Sequence, residues 1–178
     1  MVHVAQEGAV HSPPVVLARN AITAYVSEGR VLSVPADPPA MLTQRAGAFV
    51  SLKKFGELRG CIGTIEPAYP TLAEEIIQNA ISAATRDPRF FPVVPQEVPD
   101  LTISVDVLTP PERVSGLEDF DPQRYGMIVK SGTRRGLLLP ALEGVDTPEQ
   151  QYEIVCRKAG IRPGEPCEFY RFLVTRHH

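Results

Sequence analysis

The residue whose setting most suggests covalent chemistry is a thiol. Cys61 stands in the run Leu58, Arg59, Gly60, Cys61, Ile62, Gly63, reading LRGCIG, and is the only cysteine set between glycines. Glycine inside an extended run marks a bulge or a place where a ligand or another backbone comes close. A nearby cation favours the thiolate, the form that attacks electrophiles. Arg59 lies two residues from Cys61, on the same face of a strand by simple alternation. Cys61 is therefore the candidate catalytic residue. Leu58, Arg59, Gly60, Ile62 and Gly63 are the candidate substrate- or partner-binding residues around it. The competing reading is a small buried thiol on a crowded strand, since cysteine ranks among the most buried residue types.

The remaining reactive side chains narrow the mechanism. A Cys–His enzyme needs its base within hydrogen-bond reach of the thiol. The four histidines, His3, His11, His177 and His178, all fall in the end segments, so only an end folded back could bring one to Cys61. Cys156 shares a helical stripe with Tyr152, Val155 and Ala159 and reads as structural. Cys167 precedes the last predicted strand without an evident partner. Three cysteines form neither an even disulfide set nor a pair at metal-ligand spacing, and CxxC and HExxH are both missing, so no metal site is expected. No cofactor is expected either, because LRGCIG leads into a strand-like run and proline rather than into a helix, unlike a phosphate-binding loop. Arg86 and Arg89, in RDPRFF, form a second candidate binding pair, able to clamp a carboxylate or phosphate with their forked donors. The alternative is that Arg86 caps the helix before it while Asp87 pairs locally.

These residues need elements to hold them. Ser12 and Pro13 signal a helix start, and Leu17, Ala21, Ala24 and Tyr25 recur at helical spacing until Gly29, predicting a helix over 14–28. The segment VLSVPADPPAM reads as a surface loop with one short extended piece. Alternation over 47–54 predicts a strand, and Phe55-Gly56-Glu57 a turn into a second strand that carries LRGCIG. Thr71 with Glu74 forms a capping box for a helix whose stripe is Leu72, Ile76, Ala80 and Ala83, ending near Arg86. The prolines of DPRFFPVVPQEVPDL predict an extended connection without regular structure. A strand over 101–107, a hairpin over 125–140, a helix opened by Thr147 and Pro148 and closed at Gly160, and a last strand over 169–175 complete the order. Without regular βαβ alternation, this order predicts an α+β fold, a mostly antiparallel sheet with flanking helices.

The 178 residues suit one core, or one core with a small subdomain, over 12–176, with loose ends at 1–11 and 177–178. The content, 43% apolar and 22% charged, is that of a chain that folds. A net charge of −3 gives no general attraction to phosphate or anionic lipid, which disfavours nonspecific nucleic-acid and membrane-surface roles. No run reaches the roughly 20 apolar residues of a bilayer span, and the opening MVHVAQEGAVHSPP lacks the blocks of a secretory signal. A cytoplasmic location is the expectation.

LRGCIGTIEP, then NAISAA, DPRFFPV, LTISVDVLTPPE, GLLLP and CRKAG, taken in order between Leu17 and Val174, resemble the AMMECR family, named for a human chromosomal region linked to Alport syndrome and elliptocytosis. The resemblance implies a two-part α+β architecture. Prokaryotic members are similar to protein A of the AmmeMemoRadiSam system, so it also implies two partners: a Memo-like protein and a radical S-adenosylmethionine protein. The family signature falls on Leu58 to Gly63. It implies a fold and a pathway context, and leaves two roles open: participation of Cys61 in a covalent or radical-coupled modification, or a noncatalytic binding or adaptor module that uses the LRGCIG surface. One departure concerns a tryptophan that many relatives carry after the GLLLP-like strand; this chain has none and reads ALEGVDTPEQQ there.

Overall fold

Ser12 takes an extended backbone and Pro13 sits where a helix has no partner for an N–H, which starts α1 (Pro13–Glu28). Gly29 ends it in the left-handed region at φ +66°. The structure, a computed structural model, describes residues 11–178; His3 lies outside the described residues.

The chain divides into two compact units, one running to Asp106 and taking in Arg176–His178, the other Val107–Thr175. In the first, β1 (Ala48–Lys54) and β2 (Glu57–Gly63) form an antiparallel hairpin, followed by α2 (Leu72–Thr85). The sheet is completed by β3 (Leu101–Leu108) and β8 (Val174–His177), in the order β2-β1-β3-β8. Ala48, Val50 and Leu52 of β1 and Ile103 and Val105 of β3 alternate inward. α2 packs on β1 and β2, and α1 packs on α2. The stripe Leu72, Ile76, Ala80 and Ala83 is buried, and the Thr71–Glu74 capping box is formed in both directions.

The second unit holds the sheet β4-β7-β5-β6, from β4 (Glu112–Val114), β5 (Gly126–Ser131), β6 (Arg134–Leu138) and β7 (Glu168–Phe172). Its core gathers Met127, Val129, Leu138, Val155 and Cys156, the last two from α3 (Pro148–Ala159). Thr147 and Gln150 cap α3, and Gly160 closes it at φ +67°.

The α+β class and the two-part architecture hold, and several local expectations change. The proline-rich connection is not wholly extended: Pro95–Asp100 winds into 3-10 turns, with Pro95 at the start where no N–H is needed. The loop after α1 carries a 3-10 turn at Ala40–Leu42 and no strand. The predicted last strand is two strands in two sheets, β7 and β8, separated at Leu173, whose N–H and carbonyl are taken by the Thr109 side chain and backbone. The C-terminus, expected to be loose, carries β8 through His177, and the His178 carbonyl accepts from the Ser12 N–H at 3.2 Å.

Candidate functional site

The β1–β2 hairpin turns on Phe55 and Gly56, both with positive φ. Its register then slips: Lys53 pairs with Leu58 and Leu52 with Gly60, which leaves Arg59 as the extra residue of a bulge. Simple alternation does not carry through a bulge, so Arg59 does not share the Cys61 face that alternation predicts. The Arg59 guanidinium is committed elsewhere, to the Glu97 carboxylate through Nε at 3.1 Å and Nη2 at 3.0 Å, and to the Phe91 carbonyl through Nη1 at 2.8 Å. Leu58 points into solvent at 41% exposure.

The glycines have packing causes. A Cβ on Gly60 would collide with the Ala83 carbonyl oxygen, backbone of α2, so only glycine lets β2 lie this close to the helix. A Cβ on Gly63 would enter the Phe49 ring. Beyond Gly63 the chain is tied down by two buried polar residues of α2. The Glu75 carboxylate accepts from the Thr64 hydroxyl and from the N–H groups of Ala68 and Tyr69, and Asn79 Nδ2 donates to the Ala48 carbonyl at 3.0 Å and to Thr64 Oγ1 at 3.2 Å.

Cys61 pairs across the hairpin with Ser51, its Sγ 3.2 Å from the Ser51 hydroxyl. Its N–H points away from β1 and donates to Asp87 Oδ2 at 3.0 Å. That direction makes Ser51–Cys61 a non-hydrogen-bonded pair of the ladder, the kind that brings side chains closest. Asp87, 2% exposed, is also gripped by Arg89, through Nε at 3.0 Å and Nη2 at 2.8 Å. Those hydrogen bonds, against the cost of burial, hold the Asp87 carboxyl well below the usual carboxylate range. Two nitrogens of the Arg89 fork are thus committed to Asp87, and Arg86 is the exposed C-cap residue of α2, its N–H bonded to the Ser82 carbonyl. The structure does not join Arg86 and Arg89 into a clamp; Arg89 serves Asp87, and Asp87 serves Cys61.

On β3, Asp106 alternates with the core-facing Val105 and so lies on the sheet face away from the helices, as does Ser51 on β1. Asp106 is 3% exposed and accepts a two-pronged bond from Arg176 on β8, at 2.7 and 2.9 Å. These bonds raise Arg176 above its ordinary value against the cost of burial, and Cys61 lies within electrostatic range of its guanidinium. Cys61 is likewise within electrostatic range of Arg89, which the hydrogen bonds to Asp87 raise above its ordinary value. The chain's end does fold back onto this sheet, and it contributes an arginine to the Cys61 face; His177, the next residue along β8, alternates to the other face.

Cys156 and Cys167 belong to the second unit's core cluster, where burial pushes both thiols up. Ser51, Glu97, Asp106 and Arg176 are absent from the sequence-derived site. A signal existed for Asp106, the one charge inside an alternating apolar strand, which demands a partner when buried. For Glu97 and Arg176 no local pattern exists. Among the described residues, no group of acids, histidines and cysteines is arranged to hold a metal ion, and no helix is long and apolar enough to cross a membrane.

The first unit's sheet, with its bulged edge strand, half-buried thiol and two aspartate-anchored arginines, belongs to an α+β fold. Residues 15–177 match the AMMECR1 family, and the chain belongs to it. It is similar to a protein of Thermotoga maritima, 51% identical over 168 residues that cover 93% of this chain and 97% of that one. A Clostridium acetobutylicum protein is 49% identical over 167 residues, 93% of this chain, which spans 36% of the length of that relative. Among solved structures, the crystal structure of uncharacterized protein PH0010 from Pyrococcus horikoshii superposes with a TM-score of 0.83 at 38% identity, covering 92% of this chain and 88% of that one.

Proposed function

We propose that the chain is one component of a multiprotein modification pathway, working with a Memo-like protein and a radical S-adenosylmethionine protein. Its own part is to hold an anionic ligand or partner group against the Cys61 face of the first unit's sheet. The observation that carries this reading is the thiol of Cys61 bonded to Ser51, beside two arginines that buried aspartates hold in place. An arginine clamped through part of its fork keeps further donors for an oxyanion and loses little side-chain freedom on binding. An attacking thiol needs a base, whereas the partner of this one is a hydroxyl, and Asp87 and Asp106 are already taken by arginines. Membership of the AMMECR1 family supports the pathway setting, through the resemblance to protein A of the AmmeMemoRadiSam system.

The test is reconstitution with the Memo-like and radical S-adenosylmethionine proteins, comparing wild type with folded Cys61→Ser and Arg176→Lys chains. Arg176→Lys keeps a charge for Asp106 and removes the fork. Cys61→Ser is expected to retain turnover, and Arg176→Lys to raise the substrate concentration that gives half the maximal rate. A second reading, with Cys61 as nucleophile, draws on its partial exposure and on the two arginine charges it interacts with. Loss of turnover in Cys61→Ser with substrate binding intact selects that reading. Turnover that is indifferent to the presence of this chain removes both.

A further inference from the structure

Four large apolar side chains stand in solvent around one carboxylate. Glu97 accepts from Lys54 Nζ at 3.0 Å, from Arg59 through two nitrogens, and from the Val94 N–H at 3.0 Å, while Arg59 also holds the Phe91 carbonyl. These bonds gather their chain neighbours: Phe55 beside Lys54, Leu58 beside Arg59, and Phe91 and Val94 themselves. Phe91 is 88% exposed, Phe55 79%, Val94 48% and Leu58 41%. Among the described residues, only Val16, Val31 and Leu173 complete the set of exposed large apolar side chains. Single exposed apolar residues are ordinary; a group of them marks an interaction surface.

Phe55 sharpens the point. It occupies the first position of the two-residue turn at φ +51°, followed by Gly56 at φ +83°. Asparagine or glycine suits that position, and a bulky side chain there is disfavoured. A ring left in solvent returns little packing to the fold to offset that strain.

We propose that the surface around Glu97 is a docking site for a protein partner that offers an apolar pocket edged by carboxylates. The anchors are preorganised: the Phe91 carbonyl and the Val94 N–H are both bonded into the hub, so little backbone freedom is lost on binding. Lys53, Lys54 and Arg59 stand against the carboxylates of Glu97 and of the exposed Glu57 opposite Lys54, and Arg86 is exposed as well, so the local surface keeps a positive excess although the chain carries a net −3. A second copy of this chain would bring like charge against like. An anionic bilayer would face the chain's overall negative charge. A partner with acids around an apolar pocket meets neither objection. Strand addition is blocked at Cys61, whose outward N–H is taken by Asp87, so recognition runs through side chains. Leu58, paired with Lys53 on the side of the sheet that carries Ser51 and Cys61, borders the proposed ligand face, but the docking reading does not rest on a ligand there.

The experiment pans a random peptide library displayed on phage against the full wild-type chain and against Phe91→Ala, then measures selected peptides by fluorescence anisotropy on Phe91→Ala, Val94→Ser and, as a control elsewhere, Val16→Ser. Peptides enriched on wild type are expected to combine Asp or Glu with Leu, Phe or Trp. Phe91→Ala is expected to weaken them about tenfold or more, Val16→Ser to leave them unchanged, and added salt to weaken them further. Phe91 is almost wholly exposed, so its variant keeps the wild-type melting temperature. The proposal is overturned by an absence of enrichment, by peptides that bind Phe91→Ala equally, by wild-type chain that sediments with phosphatidylcholine–phosphatidylserine vesicles through Phe91, or by self-association in ultracentrifugation that Phe91→Ala abolishes.

Discussion

The N–H of Cys61 donates to the Asp87 carboxylate at 3.0 Å, closing the outer edge of β2 at the middle of LRGCIG. An open strand edge is a template for unwanted pairing. The same carboxylate is forked by Arg89, so LRGCIG and DPRFF, two separate motifs in the chain, are one structure in the fold. The arginine of the second motif positions the acid that positions the backbone of the first.

Asp87→Ala strands the Cys61 N–H and deprives Arg89 of its partner. Removing a buried, charge-bonded acceptor costs about 2–3 kcal/mol. Urea unfolding should show a loss of that order, with Asp87→Asn losing less because an acceptor oxygen remains. A change below about 0.5 kcal/mol in Asp87→Ala, the range of an ordinary surface substitution, would show that the edge does not need this cap.

Stability should fall in acid with a definable origin. Hydrogen bonds from Arg59, above all, lower the Glu97 carboxyl to about 2, and those from Arg89 hold Asp87 lower still. Both carboxyls are depressed in the folded state, so their contribution is complete above about pH 4.5, the range of free carboxyls, and is lost as pH falls toward 2. Glu97, 16% exposed, contributes on the order of 2 kcal/mol after allowance for solvent. Glu97→Gln should lower stability at pH 7 and flatten the decline between pH 4.5 and 2; a decline as steep as that of wild type would exonerate Glu97.

Gly60→Ala forces a methyl into the Ala83 carbonyl of α2, which is backbone and cannot swing aside. Overpacking of this kind costs about 2 kcal/mol, readable as a lower melting temperature. Gly132→Ala meets no neighbour within 4 Å and suffers only from φ +60°, so its cost should be smaller, about 1 kcal/mol. Equal losses for the two would mean that β2 and α2 part easily.

The three thiols should separate by accessibility and burial. Cys61 is partly exposed, whereas Cys156 is buried and burial raises both Cys156 and Cys167. Alkylation of the native protein at neutral pH, followed by mass spectrometry, should mark Cys61 first, Cys167 next and Cys156 last, with the order erased in urea. Early labelling of Cys156 would contradict the packing of α3.

Helices and turns were legible because their causes are local. Thr71 with Glu74 starts α2, Gly29 and Gly160 end α1 and α3, and the Phe55-Gly56 turn follows from a two-residue reversal. The alternation of Ala48, Val50 and Leu52 marked the buried face of β1. Alternation misled at Arg59, since a bulge depends on how two strands settle against each other rather than on either strand alone. It misled again at 169–175, where one apolar run serves two sheets.

By itself, then, the sequence determined the class of fold, the helix limits and the hairpin that carries LRGCIG, all of which follow from periodicity and capping within a few residues. Only the tertiary structure decided which charges surround Cys61. Arg59 went to Glu97, while Arg176 and Asp106 met across the sheet from positions separated by the whole second unit. Ion pairs have no sequence period; a buried acid is satisfied by whichever cation the strand order brings within reach, and strand order is settled by burial of the apolar face rather than by the polar residues on the other side.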